Sequence, residues 1–483
     1  MADGMGRAVR RTWVVSLVMV LALMANITYV MGFNAQNLRD DRHNARQYED
    51  RNTTDRGPIT AGGVQLAWST ETSGGKYQRH YRESTVFSPV TGYFSLFSQT
   101  GLESAANHVL DGTDPRLATT SLVDRILGRH VPGGSVEATV DPAAQRAAYS
   151  ALRASGARRA AAVALDARTG AILVMASTPS YNANDVSTLN AENAEAAFKE
   201  LNADRLKPLL NKAAGELFPP GSTFKTVVAS AGLSAGDTAA TRVRAGRGYR
   251  PPGAGQAINN DDGDIGGQCD ESSIPLIDAY AQSCNTTFAY MGAEDPGNDA
   301  VAGEAQRFGF YKPIQIEKGL SSATSSFPRT DQPSLSALGS IGQGSTVATP
   351  LQMAAVASAA INGGEVKKPY LIDKLRGGDG ALVQSAHPST LARPLTESQA
   401  GELRDLMEEV VRTGTAKSLQ GTSVLGGKTG TADVEGASYN DRWFIGFGPR
   451  SGPRYAVAVL TEAAGYGIES GPIAAKIIDA LGD

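Results

Sequence analysis

The chain of 483 residues carries a formal net charge of −4, from 45 lysines and arginines against 49 aspartates and glutamates. An acidic balance without long basic runs argues against nucleic acid as a partner. The length is sufficient for two domains with sizeable cores and an additional anchor segment. Five scattered histidines and two cysteines without Cys-x-x-Cys spacing form no ligand pattern, so we expect neither a metal nor a cofactor.

The first predicted element is an apolar segment at residues 13–33, broken only by small polar residues. About 20 residues of this kind span a bilayer as a helix. Arginines precede the segment and acidic residues follow it, which predicts a cytoplasmic tail at 1–12 and an extracytoplasmic remainder. A cleaved signal peptide is the alternative, but its apolar core is usually shorter and an A-x-A-like cleavage site is absent.

Residues 34–155 are rich in Gly, Ser and Thr, and their mixed pattern predicts no clear element. A hairpin pattern follows at 163–174 and turns at Thr169-Gly170. Helical segments are predicted at 276–281 and 351–361. Strands are predicted at 443–448 and 455–460, and a helix at 473–481. Strands at both ends of a helical middle indicate an α+β domain over 156–483, with a domain boundary near 155.

Three short motifs occur in one order: Ser222-Thr223-Phe224-Lys225, Ser283-Cys284-Asn285 and Lys428-Thr429-Gly430. Each motif alone is weak, because Ser-x-x-Lys recurs at Ser73 and Ser-x-Asn recurs at Ser180 and Ser438. Only the combination that begins at Ser222 has the order and the gaps of the Ser-x-x-Lys, Ser-x-Asn, Lys-Thr-Gly set used in acyl transfer.

The segment around Ser222 predicts an activated nucleophile. Pro219-Pro220-Gly221 stops the preceding structure, and a serine at a helix start can cap free N–H groups. Positions i and i+3 share a helical face, which places Lys225 beside the Ser222 hydroxyl. Desolvation and a second cation, supplied by Lys428, would lower the pKa of Lys225 so that it can act as a base. An ordinary amphipathic helix with a capping serine remains the alternative for this motif alone.

The third motif also resembles the end of a phosphate-binding loop. That loop needs a glycine at position 422, where the chain has Thr422, and a helix after the lysine. The segment that follows, at 441–448, is instead aromatic and strand-like. We therefore predict a strand along the edge of a cleft, where a substrate peptide can pair with it.

Residues 251–268 are rich in Gly, Asn and Asp, but their spacing does not fit a calcium loop, so we expect a solvated loop on the rim of the cleft. Cys269 and Cys284 enclose about 15 residues. An oxidising compartment permits a disulfide between them, which would tether the Ser283 motif, whereas two unpaired core cysteines are the alternative.

With these motifs placed, the chain resembles the class B penicillin-binding proteins, in particular their short actinobacterial branch. The resemblance covers nearly all of residues 158–483 and, more loosely, 50–120. It includes stretches outside the three motifs, namely Arg56-Gly57-Pro58-Ile59, Gly342-Gln343-Gly344, Thr349-Pro350-Leu351-Gln352-Met353-Ala354 and Trp443-Phe444-Ile445-Gly446-Phe447. It implies an elongated, dimerisation-like N-terminal pedestal at 34–155. It also implies a transpeptidase domain at 156–483, with a five-stranded antiparallel sheet flanked by helices and a helical subdomain.

The resemblance also implies a function and roles for the site residues. The expected reaction is peptidoglycan D,D-transpeptidation, with Ser222 as the nucleophile that attacks D-Ala-D-Ala stem peptides and is trapped by β-lactams. Ser283 would relay the proton and Asn285 would orient the substrate amide. Lys428 and Thr429, in the motif completed by Gly430, would bind the terminal carboxylate. The N–H groups of Ser222 and Thr431 would form the oxyanion hole.

Proteins with different functions share the same three motifs. A β-lactamase needs a base for deacylation, and Glu317 lies at a suggestive distance but lacks the usual nearby asparagine, so we expect it to be a surface residue. A D,D-carboxypeptidase and a non-catalytic β-lactam sensor would also carry these motifs. A tail of about a dozen residues is too short for the signalling module that a sensor needs. Residues 34–155 leave no room for a glycosyltransferase domain, and relatives pair with a SEDS-type membrane polymerase, which we expect as a partner.

Overall fold

The computed structural model describes residues 2–32, 51–117, 132–261, 267–434, 436–463 and 465–482. Helix α1, Ala2–Gly32, contains a stretch, Arg10–Tyr29, that is long and apolar enough to cross a membrane, and its side chains are exposed. This stretch begins and ends a few residues before the predicted 13–33. The acidic residues expected to follow the anchor, and residues 262–266 of the predicted rim loop, lie outside the described residues.

Within 34–155, the structure contains strands that the sequence pattern did not predict. A six-stranded sheet has the order β15-β14-β4-β1-β2-β3, and β1 pairs with β4 in parallel. Its strands are β1 Ile59–Ala61, β2 Val64–Thr72, β3 Lys76–Tyr81, β4 Ser135–Ala138, β14 Ile372–Arg376 and β15 Leu382–Ser385. Short helices accompany it: α2 Ser84–Thr91, α3 Gly101–Ala105 and α4 Asn107–Leu110. Because β14 and β15 come from far along the chain, the two halves of the sequence are joined in one sheet.

A buried ion-pair cluster stabilises this N-terminal sheet. Glu103 is fully buried and accepts hydrogen bonds from Arg56 at 2.9 Å and Arg79 at 2.6 Å. The Tyr81 hydroxyl donates to the same carboxylate at 3.1 Å. The Arg56 guanidinium also lies 4.0 Å from the centre of the Phe94 ring. Arg56 begins the Arg-Gly-Pro-Ile stretch, so that stretch contributes a buried cation to the core of the sheet.

The second sheet is five-stranded and fully antiparallel, as the resemblance implies. Its order is β17-β18-β19-β5-β6, with β5 Ala160–Asp166, β6 Ile172–Thr178, β17 Gly426–Asp433, β18 Asn440–Gly448 and β19 Tyr455–Ala463. Every residue of β18 after Asn440 is buried, which requires that both faces of the sheet be covered. Helices α5 Pro142–Ala154, α13 Pro350–Ala359 and α15 Gly471–Leu481 provide this cover.

Helix α5 precedes the predicted boundary at 155, yet it packs on β6 and on α15 of the five-stranded sheet. Asp141 accepts from the Ala144 N–H and caps this helix, and Pro142 occupies its first turn. Its buried alanines and Leu152 lie on one face. Residues 142–154 therefore belong structurally to the five-stranded layer.

The remaining helices form the helical part of the second domain. They are α6 Ala183–Val186, α7 Ala191–Ala203, α8 Lys225–Ala235, α9 Leu276–Ala281, α10 Asn285–Ala293, α11 Asn298–Arg307, α12 Pro333–Ser340 and α14 Glu397–Arg412. Helix α8 contacts α10, α11 and α14, and α9 packs on α14. Short two-stranded ribbons complete the fold: β7 Arg242–Arg244 with β10 Ser273–Pro275, β8 Gly248–Tyr249 with β9 Ile258–Asn259, β11 Gln315–Glu317 with β12 Leu320–Ser321, and β13 Val366–Lys367 with β16 Thr390–Ala392.

Candidate active site

Ser222 lies in a 3-10 helix, Gly221–Phe224, that leads directly into α8. Its neighbours in this turn are buried, while Ser222 itself is half-buried. The predicted capping role is wrong, because neither the 3-10 helix nor α8 has a side-chain cap. The Thr223 hydroxyl instead donates to the Pro220 carbonyl at 2.7 Å. The Ser222 hydroxyl is thus not occupied by a helix cap.

Two glycines allow this turn to contact strand β17. Gly221 has φ +52°, and a Cβ on it would lie 2.5 Å from the Thr431 carbonyl oxygen. A Cβ on Gly430 would lie 2.8 Å from the Pro220 carbonyl oxygen and 2.9 Å from the Thr223 nitrogen. No side chain fits at either position without moving backbone. The close approach brings the backbones of Ser222 and Thr431 to the same side of the site.

Lys225 connects the first motif to the second. Its Nζ donates to the Ser283 carbonyl at 2.7 Å and to Asn285 Oδ1 at 2.6 Å, and lies 3.1 Å from Ser283 Oγ. These contacts point to Ser283 and Asn285 rather than to the Ser222 hydroxyl, beside which Lys225 was predicted. Burial lowers the pKa of Lys225 to about 7, against an opposing effect of Asp261. A lysine of this kind can be neutral at physiological pH.

The second motif is held in a constrained backbone. Ser283 has φ +62°, a left-handed conformation that is uncommon for serine, directly before α10. Cys284 forms a disulfide with Cys269, with Cα atoms 5.5 Å apart, so of the two alternatives left open by the sequence the bridge is the one present. The Asn285 amide nitrogen donates to Asp261 at 3.1 Å and to the Asn259 carbonyl at 3.2 Å. These contacts fix the orientation in which Asn285 Oδ1 faces Lys225.

Lys428 differs from its predicted position. It is fully buried, its Nζ donates to the Thr429 carbonyl at 3.1 Å, and it lies 5.6 Å from the centre of the Tyr280 ring. It lines neither of the two cavities beside Ser222. Burial, and next the charge of Lys225, lower the pKa of Lys428 well below its ordinary value. The charge of Lys428 was predicted to lower the pKa of Lys225. Instead, the charge of Lys225 lowers the pKa of Lys428, and burial alone accounts for the lowered pKa of Lys225.

Two cavities meet at Ser222. The strand-end cavity, of about 700 Å³, extends past the end of β17 and is lined by Ser222, Asp261, Asn285, Leu338, Ile341, Gln343, Gly344, Thr431, Asp433, Asn440, Gly465 and Tyr466. The hydroxyl-lined cavity, of about 480 Å³, is lined by Ser222, Asp261, Gln282, Ser283, Gly414, Thr415, Thr429, Gly430, Thr431, Tyr466, Gly467 and Ile468. The presence of Asp261 in both walls agrees with the rim position predicted for its loop.

Several wall residues were not predicted. Of the predicted residues, Lys225 contacts Ser283 and Asn285, Lys428 lies outside both cavity walls, and the others line the cavities: Ser222, Ser283, Asn285, Thr429, Gly430 and Thr431. Leu338, Ile341 and Tyr466 give the strand-end cavity apolar walls. Gln343 belongs to the Gly-Gln-Gly stretch that supported the resemblance without an assigned role. A Cβ on Gly342 would lie 2.0 Å from the Gly221 carbonyl oxygen, so this stretch packs directly behind the nucleophile turn. Gly342 and Gly344 were the sequence signal that could have identified this stretch as part of the strand-end cavity wall.

Glu317 is not the surface residue that the sequence predicts. Its carboxylate accepts the N–H groups of Leu371 at 2.9 Å and Ile372 at 2.8 Å, at the start of β14. Burial, opposed by these two hydrogen bonds, raises its pKa. It lines neither cavity beside Ser222. Glu317 therefore links β11 to the N-terminal sheet and is not placed as a deacylating base.

Comparisons with known families agree with this geometry. Residues 160–481 match the penicillin binding protein transpeptidase domain, and residues 56–136 match the penicillin binding protein A dimerisation domain. The first match begins with β5 and ends with α15, and it contains all three motifs. The second contains the buried Arg56 cluster and most of the six-stranded sheet.

Individual relatives align over almost the whole chain. The peptidoglycan D,D-transpeptidase PbpA of Mycolicibacterium smegmatis is 36% identical over 98% of this chain and 97% of its own length. The corresponding protein of Mycobacterium tuberculosis is 34% identical over 99% of both. A crystal structure of PBPA from M. tuberculosis superposes with a TM-score of 0.82, covering 89% of this chain and 99% of that one. Its imipenem acyl-enzyme complex gives 0.83 at 34% identity, covering 90% and 99%. This chain belongs to the penicillin-binding protein transpeptidase family.

Proposed function

We propose that the chain is a peptidoglycan D,D-transpeptidase that cross-links stem peptides through a serine acyl-enzyme and is inhibited covalently by β-lactams. The observation that carries this function is the position of Ser222. It lies at the junction of two cavities, three residues before a buried lysine whose pKa is lowered to about 7. Two cavities that meet at one nucleophile suit a reaction with two peptide substrates. The relatives named as D,D-transpeptidases and the imipenem acyl-enzyme of one of them support the same reaction.

The first half-reaction forms the acyl-enzyme. Ser222 Oγ attacks the carbonyl carbon of the penultimate D-Ala, and neutral Lys225 accepts its proton. The C–N bond to the terminal D-Ala then breaks, and its amine receives a proton through Ser283, whose Oγ lies 3.1 Å from Lys225 Nζ. The N–H groups of Ser222 and Thr431 stabilise the developing oxyanion. Gly430 has no side chain, so the turn that carries Ser222 can pack closely enough against β17 for both N–H groups to reach the oxyanion.

The second half-reaction transfers the acyl group. The amine of an acceptor stem peptide attacks the ester carbonyl, loses a proton, and forms the new amide as Ser222 regains its own proton. Earlier, before the terminal D-Ala of the donor leaves, Thr429 and Thr431, which line the hydroxyl-lined cavity, donate to its carboxylate. Lys428 contributes from beneath the strand, where its Nζ contacts the Thr429 carbonyl. Asn285 orients the substrate amide from the opposite wall.

The domain organisation is part of the proposal. Residues 1–12 form a cytoplasmic tail, 13–33 anchor the chain as a single span, and 34–155 form the pedestal, whose last helix, α5, packs on the five-stranded sheet. Residues 156–483 form the transpeptidase domain outside the membrane. The apolar stretch of α1 and the arginines before it support this orientation. Labelling of single cysteines introduced into the tail and into the catalytic domain, in intact and in permeabilised cells, tests it. A catalytic domain that is labelled only after permeabilisation would contradict it.

A SEDS-type membrane glycosyltransferase is the proposed partner, because the matches at 56–136 and 160–481 are to a dimerisation domain and a transpeptidase domain, neither of which is a polymerase. Residues 13–33 supply the contact in the membrane. The full chain and a variant with an unrelated apolar span of equal length are compared by co-purification with the polymerase. Loss of the polymerase from the variant supports the contact, and equal recovery contradicts it.

Intact mass after incubation with a penicillin tests the catalytic assignment. The wild-type chain should carry a long-lived adduct, and Ser222→Ala should carry none. Rapid hydrolysis of the drug without a persistent adduct would indicate a β-lactamase instead. Release of D-Ala coupled to dimer formation from a stem peptide and an amine acceptor distinguishes a transpeptidase from a carboxypeptidase or a sensor.

A further inference from the structure

The turn that follows α14 places a threonine hydroxyl in the wall of the hydroxyl-lined cavity. Thr415 Oγ1 lies 2.7 Å from Thr429 Oγ1 and forms a hydrogen bond with it. Thr415 lines the same cavity as Ser222 and Thr429. The turn reads Arg412-Thr413-Gly414-Thr415, and it does not match the Lys-Thr-Gly motif because it begins with arginine.

This turn is held against the second motif as well as against β17. The Thr415 N–H donates to the Ala281 carbonyl at 3.1 Å, at the end of α9, two residues before Ser283. A Cβ on Gly414 would lie 2.2 Å from the same carbonyl oxygen, so only glycine permits this approach. The Ala416 N–H donates to the Val410 carbonyl at 3.0 Å and closes the turn onto α14. The Thr415 hydroxyl is thus placed by backbone contacts on two sides.

We propose that Thr415 is a positioning residue for the substrate carboxylate and that it acts through the hydroxyl of Thr429. The inference rests on the proposed function, in which Thr429 donates to the terminal carboxylate. A hydroxyl has one proton to donate. A carboxylate only accepts, so when Thr429 donates to it, the hydrogen bond between the threonines must run from Thr415 to Thr429. Thr415 thereby directs the proton of Thr429 toward the substrate and strengthens it as a donor.

A variant without the Thr415 hydroxyl would lose the hydrogen bond that Thr415 donates to Thr429. Without Thr415, the Thr429 hydroxyl loses the donor that keeps its proton facing the cavity, and it can rotate to other acceptors. The effect is expected on ligands that carry a carboxylate and not on those whose carboxylate is blocked. Lys428 does not line this cavity, whereas Thr415, Thr429 and Thr431 do, so threonine hydroxyls rather than the lysine lie in its wall.

A double-mutant cycle on the full chain in detergent micelles tests the inference. The measurement is the second-order rate constant of acylation by a penicillin. Thr415→Val should lower it about tenfold, the loss expected for one hydrogen bond to a charged group. Thr415→Ser should restore it. In a Thr429→Val background, Thr415→Val should change the rate less than about twofold, because its effect passes through Thr429.

Two comparisons separate positioning from a structural role. The methyl ester of the same penicillin should acylate the wild type and Thr415→Val equally slowly. Thr413→Val is the matched control, since the Thr413 hydroxyl lies in the same turn but donates to Glu409 on α14 at 2.5 Å. It should leave the rate unchanged. Should Thr415→Val fail to fold, Thr415→Ala carries the same predictions without the added methyl group.

Each outcome decides the inference. A full tenfold loss in the Thr429→Val background would mean that Thr415 acts directly or through the fold, and would overturn the inference. So would an unchanged rate for Thr415→Val, or an equal loss with the ester. If the wild type forms no adduct at all, the proposed function fails and the inference fails with it. Acylation of the wild type without any effect of Thr415 overturns only the inference.

Discussion

In the N-terminal sheet the buried carboxylate of Glu103 lies between two arginines, whereas in the active site two buried lysines have mainly neutral oxygens as partners. Burial would raise the pKa of Glu103, but Arg79 and Arg56 outweigh it and hold the pKa below its ordinary value. Burial lowers the pKa of Lys225 to about 7. Both groups are buried, but the two arginines keep the Glu103 carboxylate ionised, whereas burial allows Lys225 to lose its proton and act as a base.

The two regions use their charges for different purposes. A charge that is paired and hydrogen-bonded stays charged and fixes local structure, although removing one partner is costly. A buried cation without a strong anionic partner loses its proton readily, which is what a catalytic base requires. We expect the N-terminal cluster to control stability and the lysine of the active site to control reactivity.

The largest effect is expected from Lys225→Ala. Loss of a positioned general base should lower the acylation rate about a thousandfold. Stopped-flow or mass-spectrometric acylation kinetics measure it, and thermal unfolding checks that the variant remains folded. Lys225→Arg is the informative control, because arginine keeps a charge and cannot become a base. An arginine variant with near wild-type activity would show that the cation, and not the neutral amine, is needed.

A smaller effect, of a different kind, is expected from Glu103→Gln. Removing the charge leaves two buried arginines without their anion, which should lower the free energy of unfolding by about 3 kcal/mol or more. Urea unfolding measures the loss, and the fraction that stays folded should acylate at the wild-type rate. The matched control is Glu83→Gln, whose carboxylate pairs with Arg146 at 2.7 Å on the surface and should cost less than about 1 kcal/mol. Equal losses of unfolding free energy in Glu103→Gln and Glu83→Gln would contradict the larger structural role expected for the buried ion pairs.

The two regions should respond to pH in different ranges. Acylation should increase as pH rises through about 7, because Lys225 acts once deprotonated. Its folded pKa lies below the ordinary value of 10.5, so the unfolded chain binds an extra proton between pH 7 and 10.5. Stability should rise with pH in that window, by up to about 1.4 kcal/mol per pH unit for one group, and be lost as pH falls. Glu103 instead contributes stability that is lost as pH falls below about 4.5.

Lys225→Met isolates this contribution. The variant keeps an apolar chain of similar length, so its unfolding free energy should rise less steeply between pH 7 and 10 than that of the wild type. Lys212, with its pKa lowered by burial to about 8, contributes equally to both chains and cancels in the difference. Lys428 loses the effect of the Lys225 charge in the variant, which reduces the slope in the same direction. Identical slopes would mean that Lys225 keeps its ordinary pKa when folded.

Much of the catalytic layer could be predicted from sequence. The hairpin at Thr169-Gly170 and the strands after Lys428 have periodic patterns that depend on neighbouring residues. The motif order at Ser222, Ser283 and Lys428 identified a shared site because these residue types rarely occur together in that order by chance. The N-terminal sheet was not predicted, since it pairs β1 with β4 across most of the domain and adds β14 from beyond the nucleophile.

The chain by itself determined the nucleophile, its motif partners, the apolar helix and the antiparallel layer, because local periodicity and motif spacing encode them. Only the tertiary structure decided how the charges behave. Lys428 lies beneath its strand, Glu317 caps the start of β14, and Thr415 meets Thr429 from another helix. Burial and hydrogen bonding between distant segments set these roles, and neither is a property of a residue type or of its spacing.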